Sequence, residues 1–73
     1  MTRKFNASAI ATFRQRRGMT QRELMIKLDD CGFQTTEQTL SRWENGETEP
    51  DASDVGLLAK VLGVTIDEFF TNG

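Results

Sequence analysis

Two side chains four residues apart carry the clearest chemistry in this sequence. Gln38 and Arg42 lie in the stretch TTEQTLSRWENG, and a spacing of four places two side chains on one face of a helix. Gln and Arg are suited to paired hydrogen bonds with base edges, Gln with adenine and Arg with guanine. Leu40 and Trp43 would form the opposite, buried face. The simpler alternative is a solvated helix face without a partner.

A second candidate site lies at the start of the preceding predicted helix. The motif TQRE pairs Thr20 with Glu23 in a capping box, so this helix begins at Gln21. The free N–H groups and the positive dipole end of a helix N-terminus attract anions, and Gln21 and Arg22 stand beside them. A phosphate held here, and another at Asn45, would fix the register of a nucleic acid without reading its sequence.

Five short helices are predicted to position these residues. Each follows a side-chain cap or ends near a glycine, at 7–17, 21–28, 37–45, 52–62 and about 66–70. The segment DDCGFQT, residues 29–35, is predicted as a turn in which Phe33 anchors the loop to the core. We therefore expect an all-α domain at 7–70, between a flexible N-terminal arm at 1–6 and a short tail at 71–73.

Composition restricts the classes of function. The 73 residues are enough for one domain, and the net charge is −2. Seven of the nine basic residues lie in residues 1–28, whereas ten of the eleven acids lie in residues 29–73. This division predicts a basic half and an acidic half. A net acidic domain can still bind DNA if its basic residues share a face, although the acidity weakens attraction to phosphates.

Several residue types needed by other classes of protein are missing from the sequence. It contains no His, no nucleophile with an evident base and no glycine-rich phosphate loop, so we predict no enzyme, no cofactor and no metal site. The single cysteine, Cys31, cannot form an intrachain disulfide, and we interpret it as an inert thiol. No apolar run approaches the length of a membrane span, and we expect a cytoplasmic protein without a membrane partner.

Three segments together resemble a known family. GMTQREL, TLSRWENG and LLAKVLGVTIDEFF, in this order and spacing, are similar to the helix-turn-helix domain of the phage-repressor and Cro type, the XRE family. The resemblance covers roughly residues 7–70. It implies a compact, five-helix, lambda-repressor-like domain in which helices 2 and 3 bind double-stranded DNA. It also implies a transcriptional repressor that binds a palindromic operator as a homodimer.

The resemblance also assigns roles by position. The residues that it places against bases are Glu37, Gln38 and Arg42. Those that it places against phosphates are Gln21, Thr39 and Asn45, to which the helix 2 N-terminus adds Arg22. It matches Arg14 and Glu44 to an ion pair between helices 1 and 3. Phe70, near the end of the chain, is our candidate for a dimer contact.

The sequence differs from the family pattern in three ways. The link between helices 2 and 3 is about four residues longer than usual, and Met25 occupies a position where the family usually has Ala. The loop after Gly46 presents Glu47 and Glu49 where DNA-binding members commonly carry Lys or Arg. These acids leave a second hypothesis open. In it, the domain is a protein-interaction module or an antitoxin-type regulator whose acidic half binds a partner protein.

Overall fold

The computed structural model describes residues 3–72, so the predicted arm at 1–6 and tail at 71–73 lie partly outside the described residues. The elements in chain order are β1 (Arg3–Phe5), α1 (Ala7–Arg16), α2 (Gln21–Asp30), α3 (Glu37–Glu44), α4 (Ala52–Leu62), a 3-10 helix (Ile66–Phe69) and β2 (Phe70–Asn72). The predominantly helical fold is confirmed. The predicted number of five helices is not confirmed.

The prediction of five helices is wrong for the last one. Residues 3–72 contain four α-helices, and a 3-10 helix of four residues takes the place of the predicted fifth. The predicted cap is present, because the Thr65 N–H donates to the Glu68 carboxylate at 2.7 Å. At Phe70 the backbone is already extended, with φ −121° and ψ 146°. Four residues are too few for the repeated hydrogen bonds of an α-helix, so the segment adopts the tighter turn.

A short antiparallel sheet, which the sequence analysis did not predict, joins the two ends of the described chain. Its register pairs Arg3 with Asn72, Lys4 with Thr71 and Phe5 with Phe70. Thus residues 3–5, within the segment expected to be a flexible arm, form a strand. The Arg3 guanidinium lies 2.9 Å from an Asp67 carboxylate oxygen and 5.0 Å from the centre of the Phe70 ring.

One apolar core holds the four helices together. Its members with the least exposure come from every α-helix and from the 3-10 helix; they are Ile10, Leu24, Leu28, Leu40, Leu58, Leu62, Val55 and Phe69. Phe13 meets the Phe69 ring edge to face at 5.4 Å. Phe33 is half-buried and stacks on Trp43 with ring centres 6.2 Å apart, so it anchors the α2–α3 link to the core.

The ends of α1 and α3 lie within one residue of the predicted ones, and two larger departures concern the Asn6 cap and the end of α2. Thr36 accepts the Thr39 N–H at 3.1 Å and caps α3 as predicted. Asn6 stands at the N-cap position of α1, but its side chain accepts a hydrogen bond from the Ser8 hydroxyl at 2.7 Å and not from the helix backbone. The α2 helix runs to Asp30 and so includes two residues that were predicted as part of the turn.

Candidate nucleic-acid interface

The outer face of α3 carries the predicted base-reading residues. Gln38 and Arg42 are exposed, whereas Leu40 and Trp43 on the opposite face are 0% and 5% exposed. Glu37 is exposed in the first turn. Among residues 3–72, the side chains of Glu37, Gln38 and Arg42 form no hydrogen bond and no ion pair with one another or with the rest of the domain. Their polar groups are therefore available to an external partner.

Two predicted phosphate ligands lie on the same helix. The Thr39 hydroxyl is 3.0 Å from the Thr36 hydroxyl, so it already has one hydrogen-bonding neighbour. Asn45 is the exposed C-cap of α3, and its amide nitrogen donates a long, 3.5 Å hydrogen bond to the Ser41 hydroxyl. Thr39 lies in the first turn of α3 and Asn45 directly follows its last residue. Their contact with phosphate remains a prediction.

The N-terminus of α2 already contains a carboxylate. The Glu23 carboxylate accepts the Thr20 N–H at 3.0 Å, and the Thr20 hydroxyl accepts the Glu23 N–H at 3.1 Å. The backbone hydrogen bond from Thr20 is the main cause that lowers the pKa of Glu23, and the Thr20 hydroxyl adds to it. A charged carboxylate here offsets part of the attraction that the helix end has for phosphate. The exposed Arg22, in the same turn, supplies an opposing positive charge.

An almost buried ion pair joins α1 to α3. The Arg14 Nε donates to Glu44 Oε2 at 2.9 Å, its Nη2 donates to Oε1 at 3.1 Å, and its Nη1 donates to the Met19 carbonyl at 2.8 Å. The side chains of Arg14 and Glu44 are 12% and 8% exposed. Gln21, the first residue of α2, donates its Nε2–H to Glu44 Oε1 at 3.1 Å. The structure thus brings together three predicted residues that the sequence separates.

Other arginines of the basic half are occupied within the domain. The Arg17 Nε donates to the Leu62 carbonyl at 3.1 Å, at the C-terminal end of α4. The Arg16 guanidinium lies 5.5 Å from the centre of the Phe13 ring. Sequence analysis did not find the Arg17 contact, because its two partners are 45 residues apart. Of the arginines in α1 and α2, Arg16 and Arg22 form no hydrogen bond or ion pair among residues 3–72, and Arg22 also lacks an aromatic contact there.

Acidic side chains follow α3 directly. Glu47 and Glu49 are exposed, and the Glu47 N–H donates to the Arg42 carbonyl at 2.9 Å, which holds the loop against the end of the helix. Gly46, with φ +77°, supplies the left-handed turn between them. These acids therefore lie close to the proposed DNA-binding face and would repel a nearby phosphate.

The longer α2–α3 link borders an open groove of about 420 Å³. Its lining comes from α2 and from the link; the residues are Met25, Ile26, Asp29, Gln34, Thr35 and Thr36. Met25 is half-buried, and Ile26 is 49% exposed. The α2–α3 link thus passes beside Met25, one of the predicted departures from the family pattern.

Phe70 is partly covered within the chain. Its ring meets the Phe5 ring edge to face at 5.8 Å, and Arg3 lies over it. The side chain is half-buried, so only part of the ring is open to a second subunit. Its role as a dimer contact stays a prediction.

The sequence matches one known protein family. A family model described as helix-turn-helix matches residues 10–69, which is most of the chain. No curated protein matches the sequence. None of the helices in residues 3–72 is both long enough and apolar enough to cross a membrane. The chain belongs to the XRE-type helix-turn-helix family, whose members are DNA-binding regulators.

Proposed function

We propose that this helix-turn-helix protein is a sequence-specific repressor of transcription that inserts α3 into the major groove of duplex DNA. The observation that carries the proposal is the outer face of α3, where Gln38 and Arg42 are exposed and lack partners among residues 3–72. Arg42 is suited to guanine O6 and N7, and Gln38 to adenine N6 and N7. Glu37 can accept a hydrogen bond from cytosine N4.

We propose that the phosphate contacts come from the start of α2 and from residues beside the base-reading face of α3. Gln21 and Arg22 stand at the start of α2, while Thr39 and Asn45 flank the reading face of α3. Positive charge is sparse here because most other arginines of the basic half are bound within the domain. We therefore expect the DNA affinity of this protein to depend on salt less steeply than that of family members with more basic DNA-binding surfaces. More of its specificity should then come from base contacts.

Repression requires a stable complex on an operator. We propose that two subunits bind a palindromic site with their α3 helices in successive major grooves, about 34 Å apart. Phe70 is the proposed contact between subunits, with the part of its ring that Phe5 and Arg3 leave uncovered. The bound dimer would then block access of RNA polymerase to the promoter.

A second candidate function rests on the acidic residues. Glu47, Glu49 and Asp51 are exposed in the loop after α3, where DNA-binding members of the family usually present basic residues. This surface suits a basic protein partner better than a phosphate backbone. An antitoxin-type regulator would use both surfaces, with the acidic loop on a partner protein and α3 on the operator.

Selection from a random duplex library, followed by binding titrations at 50 and 200 mM salt, tests the proposal. We expect one enriched, two-fold symmetric sequence, and binding that weakens as salt rises. Arg42→Ala should cost about 1–3 kcal/mol at one base pair of each half-site and relax specificity there. Lys60→Ala, an exposed change on α4, is the matched control and should leave that base preference intact. Absence of binding to any duplex at 50 mM salt would refute the DNA-binding proposal and leave the protein-interaction alternative.

A further inference from the structure

We propose that Glu44 is a positioning residue for DNA binding, because it orients the side-chain amide of Gln21 so that an N–H group faces the DNA backbone. This inference rests on the proposed function and deepens it. The observation behind it is the hydrogen bond from Gln21 Nε2 to Glu44 Oε1 at 3.1 Å, which links the first residue of α2 to the last residue of α3.

The Glu44 carboxylate can impose this orientation because it is itself held firmly. Two Arg14 nitrogens donate to it, at 2.9 and 3.1 Å, and the third Arg14 nitrogen is bound to the Met19 carbonyl. The side chains of Arg14 and Glu44 are 12% and 8% exposed, so water competes little for these contacts. The carboxylate is therefore held in place by its contacts with Arg14 of α1.

The chemistry of the two groups then decides which way the amide turns. A charged carboxylate only accepts hydrogen bonds, whereas a glutamine amide has two N–H donors on one end and a carbonyl oxygen on the other. Gln21 must direct its nitrogen toward Glu44, because the reverse orientation would place two acceptors in contact. One N–H is used in this bond. The second N–H remains on the same nitrogen, and Gln21 is half-buried, so part of the side chain still reaches the surface.

A free Gln side chain at the start of a helix can present either its donor or its acceptor to an approaching phosphate. When the carbonyl oxygen faces the phosphate, the two acceptors repel each other. A free amide spends part of the time in this orientation and therefore binds the phosphate less well. The hydrogen bond to Glu44 removes this alternative before DNA arrives, which is a gain by preorganisation. The ion pair between α1 and α3 thereby acts on the proposed phosphate contact in α2, although neither Arg14 nor Glu44 is among the residues proposed to contact DNA.

Single methylphosphonate substitutions in the selected operator, which neutralise one phosphate at a time, test this inference. For the wild type, neutralising the phosphate at the α2 N-terminus should weaken binding roughly tenfold, as expected for a hydrogen bond to a charged acceptor. In Gln21→Met, which keeps the size of the side chain but lacks the amide, that loss should shrink to less than about twofold. Glu44→Gln should shrink it similarly, because an amide at 44 accepts either orientation of Gln21.

A purely structural role for Glu44 predicts a different pattern. In that case a Glu44 substitution would weaken binding to every methylphosphonate operator by the same factor. The relative loss at each phosphate would then be the same as in the wild type. Glu44→Asp keeps the charge that pairs with Arg14 but withdraws the carboxylate by one methylene, so it provides a folded variant if Glu44→Gln does not fold. Circular dichroism confirms the folded state of each variant.

The possible outcomes separate this inference from the proposed function. A wild-type phosphate profile in both Glu44 variants would overturn the positioning role, as would an unchanged profile in Gln21→Met. Failure of the wild-type protein to bind duplex DNA would instead refute the proposed function. Selective loss of the same phosphate contact in the Gln21 and Glu44 variants would establish the inference.

Discussion

Removing one partner of the ion pair between Arg14 and Glu44 should destabilise the domain far more than breaking an exposed ion pair would. Glu44→Ala would leave two Arg14 nitrogens and the Gln21 amide nitrogen without the acceptor that they now share, at 2.9 to 3.1 Å. The Met19 carbonyl would still bind one Arg14 nitrogen and hold the guanidinium in its mostly buried site. The charge would then lack a counter-ion.

The magnitude follows from burial. Breaking a buried pair by removing one partner costs about 3–5 kcal/mol, because an uncompensated charge remains. A domain of 73 residues has a total free energy of unfolding of about 4–11 kcal/mol at the usual 0.05–0.15 kcal/mol per residue. Glu44→Ala should therefore remove a large part of the stability. Replacing both partners, as in Arg14→Met with Glu44→Leu, should cost much less than the sum of the two single changes, since no charge is left buried.

Urea unfolding of the wild type, the two single variants Arg14→Met and Glu44→Leu, and the double variant provides the assay. We expect a coupling energy of about 2–4 kcal/mol from this double-mutant cycle. The matched control is the pair of Arg3 and Asp67, which has the same 2.9 Å separation but side chains that are 46% and 80% exposed. Its coupling should be below about 1 kcal/mol. Additive effects at Arg14 and Glu44, or equal coupling in the two pairs, would refute the reasoning from burial.

Three further predictions concern the acids and the glycines. Changing Glu47 and Glu49 to Lys should tighten binding to non-specific duplex DNA and steepen its salt dependence, measured by fluorescence anisotropy; unchanged binding would show that this loop stays away from the backbone. The pKa of Glu23 is lowered from its ordinary 4.5, so its capping contribution is present above pH 4.5 and is lost as pH falls through the lower folded value. Urea unfolding should show the gap between wild type and Glu23→Ala closing over that acid range, and a constant gap would contradict this account. Gly63→Ala should cost more than the roughly 1 kcal/mol expected for Gly18→Ala, by thermal unfolding. Both residues have positive φ, +71° and +67°, and nothing lies within 4 Å of a new Cβ at 18. A new Cβ at 63 would push aside the flexible end of the Arg17 side chain and break its hydrogen bond to the Leu62 carbonyl, which adds about 0.5–1.5 kcal/mol. Equal losses would show that this hydrogen bond contributes nothing.

The parts of the fold that sequence analysis predicted are those determined by neighbouring residues. The capping boxes at Thr20 and Thr65, the α3 cap at Thr36 and the buried pair of Leu40 and Trp43 each depend on contacts within four residues along the chain. Local hydrogen bonds and helical periodicity are visible in a short stretch of sequence, so such features can be predicted without knowledge of tertiary contacts. The orientation of the outer α3 face followed from the same short-range pattern.

The parts that it missed depend on distant residues. The β1–β2 sheet pairs Arg3 with Asn72 through strands of three residues, which are too short to show an alternating pattern. Gln21 and Glu44 meet across 23 residues, and no feature of either local sequence indicates that the amide binds this carboxylate. The type of the last helix was misjudged because its capping box identifies where a helix begins but not whether an α-helix or a 3-10 helix follows.

The central claim is that α3 reads bases in the major groove through Arg42 and Gln38. Replacing single guanines of the selected operator with 7-deazaguanine removes the N7 acceptor from the major groove and leaves the minor groove unchanged, so it tests this claim most directly. We predict that one such replacement in each half-site weakens wild-type binding by about 1–3 kcal/mol and has little further effect on Arg42→Ala. Equal losses in wild type and Arg42→Ala, or no loss at any guanine, would contradict major-groove reading by this side chain.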